Sequence, residues 1–93
     1  MAEPARYPVG FSPKFDRIFK SIKKRKPSLV PTVLKGIDKI AGDPMLGKPL
    51  RNVLRNHRGL HIADSFVLLY EITTAEIRLL DFDHHDKIYK KYR

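Results

Sequence analysis

The amino-acid sequence predicts a single α+β domain, in which an N-terminal strand and a hairpin of two helices pack on an antiparallel sheet of about four strands. Three observations carry this prediction. The chain has 93 residues, the size of one domain (1–93). Apolar residues recur at the period of a helix in the first half of the chain, and from His57 onward they recur at the period of strands.

The first elements are predicted to be a short strand, Tyr7–Phe11, and a helix. Ser12 is expected to cap the helix and Pro13 to occupy its first position, where the missing N–H costs nothing. Basic residues at 23–26 suit the negative end of the helix dipole, and Pro27 ends the helix. One apolar stripe is formed by Phe15, Ile18, Phe19 and Ile22.

A second helix is predicted to begin after Ser28, as its N-cap, and to end at Gly42, as the residue that follows its last turn. We expect the two helices to form a hairpin whose apolar faces are covered by the sheet. The apolar residues of the second helix that keep the helical period are Val30, Val33, Leu34, Ile37, Ile40 and Ala41.

The second half of the chain is predicted to form a meander of three strands. Before it, residues 43–56 are expected to form a loop with one helical turn at Leu50–Leu54. The strands are expected from His57 to Ile62, at Ser65–Ile72 and at Glu76–Asp83. The middle strand is apolar on both faces, which is typical of a central strand covered on both sides. Residues 84–93 are expected to form a short, basic C-terminal helix or tail.

Charge is the strongest compositional signal. The chain has 19 Lys and Arg against 10 Asp and Glu, a formal net charge of +9. Such a charge attracts polyanions, so RNA or the ribosome is the expected partner. A charge that serves solubility, or a ribosomal-protein-like role in RNA binding, predicts the same composition.

The composition also excludes several classes of protein. There is no cysteine, so disulfides and thiolate zinc sites are excluded. No apolar run approaches the ~20 residues that span a bilayer, and the N-terminal residues lack the pattern of a secretory signal. We expect a cytoplasmic protein that uses no cofactor.

The predicted strand register brings several polar residues to one rim of the sheet. We expect His61 to lie opposite Val67, and Val67 opposite Asp81, so that the turn at 63–65 and the end of the third strand share one end of the sheet. Two histidines near their unperturbed pKa can transfer protons in RNA cleavage, while cations stabilise the charge on phosphorus. The residues predicted near this rim are His61, Asp64, His84 and His85, with Arg58 nearby.

Each of these residues also has a purely structural interpretation. His61 is equally explained as a partly buried strand histidine. His84 and His85 could end a strand or bind a metal, but no group of carboxylates completes a metal site, so we expect none. Asp81 and Asp83 either orient a histidine or form the exposed face of an edge strand. By periodicity alone, the tyrosines of the C-terminal segment pack against the domain.

Three motifs in this order resemble the RelE/ParE superfamily of toxins from type II toxin–antitoxin systems. They are IDKIAGDPMLGKPLRN, HRGLHIADSFVLLYEI and IRLLDFDHHDKIYKKY, and they follow a lysine-rich first helix. The segment RGLHIADSFVLLYEI is most similar to the YafQ-like branch. The resemblance implies a RelE-like fold, which is similar to that of microbial ribonucleases. It also implies metal-independent cleavage of mRNA by attack of the 2′-hydroxyl, often on the ribosome, and inhibition by a cognate antitoxin.

The same resemblance assigns roles to individual residues. It implies that Arg58 binds phosphate, that His61 and His85 are catalytic, and that Tyr89 is the aromatic residue of the terminal motif. The branch usually has a histidine in the loop before the strands, where this chain reads Asp43-Pro44-Met45. The expected supporting residues are Asp64, which is one place from the usual acidic position, Asp81 and His84. The residues expected to bind RNA phosphates are Lys48, Arg51, Arg55 and Lys87.

Two other functions are compatible with the sequence. A ParE-like toxin would share the fold, inhibit gyrase and cleave nothing. A non-catalytic RNA-binding module would tolerate replacement of its histidines. ParE-like relatives usually lack the strand histidine together with the terminal pattern that reads His85-Asp86-Lys87-Ile88-Tyr89 here, so the histidines favour the nuclease.

Overall fold

The computed structural model describes residues 6–50 and 56–92 and confirms the predicted α+β class. The predicted Arg51 and Arg55, and most of the predicted turn at Leu50–Leu54, lie outside the described residues. In chain order the elements are β1 (Val9–Phe11), α1 (Pro13–Arg25), a 3₁₀ turn (Pro27–Leu29), α2 (Val30–Gly42), β2 (Lys48–Pro49), β3 (His57–Ile62), β4 (Phe66–Ile72), β5 (Ile77–His84) and α3 (His85–Lys91). No helix in the described part of the chain is long and apolar enough to cross a membrane.

The strands form one five-stranded sheet in the order β1-β5-β4-β3-β2. β1 is parallel to β5, and the other neighbouring strands are antiparallel. The sheet has one strand more than expected, because Lys48 and Pro49, predicted to lie in a loop, pair with Gly59 and Arg58. β1 begins later than predicted, at Val9.

Helix α1 begins and ends as the sequence predicts. The Ser12 Oγ atom accepts a hydrogen bond from the N–H of Phe15 at 3.1 Å, and Lys26 follows the last residue of the helix. The apolar stripe of α1 is buried against the sheet, where Phe15, Phe19 and Ile22 join a core with Val33 and Ile40 of α2. Sheet residues complete this core: Ile62, Leu68, Tyr70, Ile77, Leu79 and Phe82.

Helix α2 differs from the prediction at three residues. Ser28 does not cap it, because a 3₁₀ turn at Pro27–Leu29 precedes the helix and makes no side-chain cap. Gly42 was expected after the last turn, but it is the last helical residue, and no described glycine has a positive φ. Leu34 belongs to the periodic set but is 48 % exposed, so the buried stripe of α2 is narrower than its period suggests.

The other face of the sheet is covered in part by α3. Val67 and Leu69 of β4 point away from the α1/α2 core, yet both are fully buried, as is Ile88 of α3. The opposite strand residues, His61 and Asp81, contact Tyr89 and Lys91 of α3. This confirms that β4 is a central strand covered on both sides. We call this side of the sheet the α3 face.

The predicted register is correct for one hairpin and wrong for the other. His61 lies opposite Val67, as expected. Val67 lies opposite Asp83 instead of Asp81, because two features each shift the pairing by one residue. The β4–β5 loop contains four residues, held by hydrogen bonds between Thr73 and Glu76, and a bulge leaves one β5 residue unpaired beyond Leu79.

Candidate active site

Alternation along β3 decides which of its side chains reach the α3 face. His57, Gly59 and His61 share this face, because neighbouring residues of a strand point to opposite sides. Leu60 and Ile62 point the other way, toward α2, where a methyl group on Gly36 would lie 2.6 Å from Cδ1 of Ile62. Gly36 therefore allows α2 to pack closely against Leu60 and Ile62, and this packing keeps His57, Gly59 and His61 on the α3 face.

His61 and Tyr89 form the centre of the candidate site. The Tyr89 hydroxyl lies 3.3 Å from Nε2 of His61, and the ring centroids are 6.3 Å apart. Both residues are exposed. A tyrosine hydroxyl at this distance can orient the imidazole and exchange a hydrogen bond with it, which leaves Nδ1 of the ring available for other contacts.

His85 lies one helical turn from Tyr89. Residues four apart on a helix share a face, with Cβ atoms about 5–6 Å apart, so His85 lies beside Tyr89 on α3. The N–H of His85 donates to the carbonyl of Ser65 at 2.9 Å, and this bond fixes the start of α3 to the turn that follows β3. Nδ1 of His85 lies 3.0 Å from Oδ1 of Asp86. The structure thus brings His61, His85 and Tyr89 to one end of the sheet.

Lys48 approaches the same face from β2. It pairs with Gly59, and paired residues point to the same side of a sheet, so Lys48 and His61 share the α3 face on adjacent strands about 4.8 Å apart. Gly59 has no side chain, and Cγ1 of Val67 would lie only 2.8 Å from a methyl group placed there. Val67 therefore fills the space above Gly59, and Lys48 is the cation beside this part of the α3 face.

The structure places the remaining predicted residues elsewhere. Arg58 lies three residues before His61 in the same strand and therefore on the opposite face. Its Nη1 atom donates to the carbonyls of Gly47 at 2.7 Å and Met45 at 3.3 Å, so it holds the loop that leads to Lys48. Tyr70 holds the same loop, because its hydroxyl donates to Pro44 at 2.6 Å and accepts from the N–H of Gly47. Burial raises the pKa of Tyr70.

Three other predicted residues also lie apart from the His61–Tyr89 pair. Asp64 is exposed at the tip of the β3–β4 turn, where it and Ala63 have φ values of 66° and 51°. His84 stacks on the ring of Phe66, with centroids 4.5 Å apart, on the α1/α2 side of the sheet. Lys87 is exposed on α3. The structure therefore separates the two adjacent histidines and leaves His85 on the helix that carries Tyr89.

Asp81 is the most deeply buried charged residue among those described, with 1 % exposure. Its Oδ2 atom accepts hydrogen bonds from Tyr92 Oη at 2.8 Å, Lys91 Nζ at 2.9 Å and Lys14 Nζ at 3.0 Å. Burial by itself would raise the pKa of Asp81, but these three hydrogen bonds outweigh it and lower the pKa below the usual value. We call these four residues the Asp81 cluster.

No group of three or more His, Cys, Asp or Glu residues that could hold a metal ion occurs in the described ranges 6–50 and 56–92.

Comparison with known proteins identifies the family. The family model described as "ParE toxin of type II toxin-antitoxin system, parDE" matches residues 9–89. The chain belongs to the RelE/ParE toxin superfamily. The protein RelE4 of Methanocaldococcus jannaschii, which is named for the RelE toxins, is 34 % identical over 91 % of this chain and 93 % of its own length. A protein of Methanosarcina mazei is 31 % identical over 82 % of this chain and 91 % of its own.

Solved structures show the same fold. A chain of the RelBE2 toxin–antitoxin complex from Mycobacterium tuberculosis aligns with a TM-score of 0.72 at 24 % identity, covering 91 % of this toxin and 98 % of that chain. A chain of the YoeB–YefM complex from Staphylococcus aureus also gives 0.72, at 19 % identity, covering 87 % and 99 %. YafQ from Escherichia coli gives 0.63 at 17 % identity, covering 90 % and 99 %.

Sequence reasoning missed the partners of Asp81 in this toxin. An aspartate between apolar residues of a strand signals a buried carboxylate, which requires paired donors. Its donors could not be named, because Lys14 lies 67 positions away in the chain. Lys91 and Tyr92 are closer, but their contact depends on how α3 folds back on the sheet.

Proposed function

We propose that this toxin is a metal-independent endoribonuclease that cleaves mRNA on the ribosome and so inhibits translation. The observation that carries the proposal is the exposed pair of His61 and Tyr89, 3.3 Å apart, with His85 one helical turn away. Two histidines beside a cation supply the groups that RNA cleavage without a metal requires.

The reaction begins with attack of the ribose 2′-oxygen on the adjacent phosphorus. One histidine removes the 2′-hydroxyl proton as the new O–P bond forms. The bond from phosphorus to the 5′-oxygen breaks, and the second histidine donates a proton to that oxygen. The products are a 2′,3′-cyclic phosphate and a 5′-hydroxyl. His61 and His85 share these two proton transfers, Tyr89 orients the imidazole of His61, and Lys48 stabilises the charge on the phosphoryl oxygens.

Arg58 has a supporting part in this proposal. Its contacts with the carbonyls of Met45 and Gly47 fix the loop that leads into β2. Since Lys48 directly follows Gly47, Arg58 would set the position of that lysine. Arg58 therefore acts on phosphate through Lys48 in our proposal.

A cognate antitoxin is the proposed protein partner. Two of the similar solved structures are toxin–antitoxin complexes. A net charge of +9 favours an acidic antitoxin segment, as it favours RNA. Both ligands are polyanionic, so a segment that covers the α3 face would compete with RNA for it.

The test is mRNA cleavage in a reconstituted translation system, with cut sites mapped by primer extension. Wild type should cleave mRNA, and His61→Ala and His85→Ala should each lower the rate about 10²–10⁴-fold, the range for removal of a general acid or base. Tyr89→Phe should cause a smaller loss, since it removes only an orienting hydroxyl. The matched control is His57→Ala, which removes a histidine from the same strand and face and should change the rate less than twofold.

Two outcomes would contradict the proposed function, and a third would contradict only the assigned residues. Intact mRNA together with inhibited supercoiling by gyrase would favour the ParE-like function, the second candidate because the matching family model describes ParE toxins. Translational arrest without cleavage would favour a non-catalytic RNA-binding module. Equal cleavage by wild type and both histidine variants would keep the nuclease function and reject the assigned residues.

A further inference from the structure

The Asp81 cluster joins three parts of the chain that are distant in sequence. Asp81 lies in β5, Lys14 in the first turn of α1, Lys91 at the end of α3, and Tyr92 directly after it. Lys14 also lies 3.2 Å from the Tyr92 hydroxyl, so the donors contact one another as well as the carboxylate. The second oxygen of Asp81 accepts from the N–H of Phe82 at 2.8 Å, which fixes the side chain to its own strand.

Helix α3 depends on such contacts to stay on the sheet. It has 7 residues and one buried side chain, Ile88. Isolated helices shorter than about 12–15 residues are marginal in water, so packing must supply the stability. At its start, the N–H of His85 bonds to Ser65, but no side chain caps the helix. At its end, the described hydrogen bonds to the sheet are those made by Lys91 and Tyr92 to Asp81 and a longer one, 3.4 Å, from Lys91 to Asp83.

Tyr89 lies between these two points of attachment. It precedes Tyr92 by three residues, so both project from one side of the helix, Tyr89 toward His61 and Tyr92 toward Asp81. Movement of the last turn of α3 away from Asp81 would therefore also move the Tyr89 hydroxyl away from His61.

We propose that Asp81 is a positioning residue, which fixes the last turn of α3 to the sheet and thereby holds Tyr89 against His61. This inference rests on the proposed nuclease function for its effect on rate, but its effect on α3 is independent of that function. Asp81 itself does not contact the RNA in this proposal.

The charge of Asp81 is the property that matters. Its Oδ2 atom receives three donors, two of them cationic, in a buried position. Asp81→Asn keeps the size and shape of the side chain but removes the charge and places an amide near the lysines. Asp83→Asn is the matched control. It makes the same change two residues later on the same strand, where the side chain is 29 % exposed and lies 3.4 Å from Lys91.

The first test is a double-mutant cycle on single-turnover RNA cleavage. Asp81→Asn should lower the cleavage rate about ten- to a hundredfold, but by no more than Tyr89→Phe does, because it acts through the Tyr89 hydroxyl; the Kd for RNA should stay within about twofold of wild type. In a Tyr89→Phe background the same substitution should lower the cleavage rate less than about twofold, because the hydroxyl that Asp81 positions is already absent. An equal loss in both backgrounds would overturn the proposal, since Asp81 would then act independently of Tyr89.

The second test does not require activity. In the Asp81→Asn variant, amide hydrogen exchange should become faster at residues 88–92, and the nuclear Overhauser contacts between the His61 and Tyr89 rings should be lost. Hydrogen exchange in the core strands of Asp81→Asn should stay as in wild type. The control Asp83→Asn should keep the ring contacts between His61 and Tyr89. Unchanged exchange and retained ring contacts in Asp81→Asn would overturn the proposal. If wild type cleaves no RNA, the proposed function fails, while this measurement still decides whether Asp81 positions Tyr89.

Discussion

Gly59 lies between His57 and His61 on the α3 face, and its missing side chain makes room for Val67. A methyl group at Gly59 would lie 2.8 Å from Cγ1 of Val67, which is fully buried and β-branched and so cannot rotate away freely. Gly59→Ala should lower the free energy of unfolding by about 1–3 kcal/mol, the usual cost of overpacking. Urea denaturation, followed by circular dichroism, measures the change.

The matched control for this prediction is the same substitution at Gly42. There, at the last residue of α2, the nearest atom to an added methyl group is Nη1 of Arg6 at 3.5 Å, an ordinary contact. Gly42→Ala should leave the protein as stable or raise its stability by up to about 1 kcal/mol, because alanine favours the helix. Equal stability of Gly59→Ala and wild type would show that Val67 and the strand relax around the methyl group.

Individual site residues were predictable where one element holds them. His85 and Tyr89 are four residues apart, so a helix at 85–91 places them side by side without knowledge of the rest of the fold. Arg58 and His61 are three residues apart in a strand, and alternation alone sends them to opposite faces. The resemblance to a family put both in one site, and the strand period is the observation that separates them.

At the scale of elements, the long periodic segments were predictable and the short or irregular ones were not. Helix α1 follows from its cap, its apolar stripe and Pro27. Strand β2 has 2 residues, one of them proline, and exists only because β3 lies beside it. The bulge in β5 has no signal in its local sequence, yet together with the four-residue loop it moves Asp81 from the row of His61 to the next row along the sheet.

The attachment of α3 through Asp81 should depend on pH. Burial raises the pKa of Asp81, hydrogen bonds from Lys91, Lys14 and Tyr92 lower it, and the net effect is a pKa below the usual value. A carboxylate whose pKa is lower in the folded state stabilises the fold above its unfolded pKa, about 3.9, and loses this contribution as the pH falls through the folded pKa. Asp81→Asn should therefore lower the free energy of unfolding by about 1–2 kcal/mol near neutral pH, and by progressively less below about pH 4. The loss is modest because Lys14 and Lys91 are partly hydrated.

At alkaline pH, the contributions of the three donor residues to stability decrease as the pH rises. The hydrogen bond to Asp81 raises the pKa of Lys14. Burial lowers the pKa of Lys91, but the hydrogen bond to Asp81 together with the charges of Asp81 and Asp83 outweighs burial, so the pKa of Lys91 is also raised. Burial and Asp81 raise the pKa of Tyr92. These contributions are complete below the unfolded pKa values, about 10, and are lost as the pH rises through the folded ones. Urea denaturation of wild type and Asp81→Asn from pH 3 to pH 11 measures the difference in the free energy of unfolding at both ends of this range. A difference that persists undiminished to pH 3 would show that the substitution acts through packing and not through charge.

At the scale of the whole molecule, the two faces of the sheet have different roles, one in stability and the other in the candidate site. The α1/α2 side contains the main core, so substitutions there change stability. The α3 side combines a small buried group, Val67, Leu69 and Ile88, with exposed polar residues at the candidate site. A chain of this length buries only about 60–65 % of its unfolded surface, so it has few residues to spare for a separate site. The 7-residue helix α3 has two roles here, because it covers part of the sheet and also carries Tyr89.

The positive charge should make RNA binding depend steeply on salt. Each phosphate neutralised on a single strand contributes a slope of about −0.7 in log K against log salt, so three to five contacts predict a loss of affinity of about 20- to 100-fold between 50 and 200 mM salt.

The measurement is the Kd of the His61→Ala variant for a short RNA, because this variant should bind without cutting. Lys48→Gln should reduce the slope by about 0.7, since Lys48 lies on the α3 face beside Gly59. Lys35→Gln, an exposed change on α2, should leave it unchanged. An affinity that is flat over this range, or equal slopes for Lys48→Gln and Lys35→Gln, would contradict phosphate binding on the α3 face.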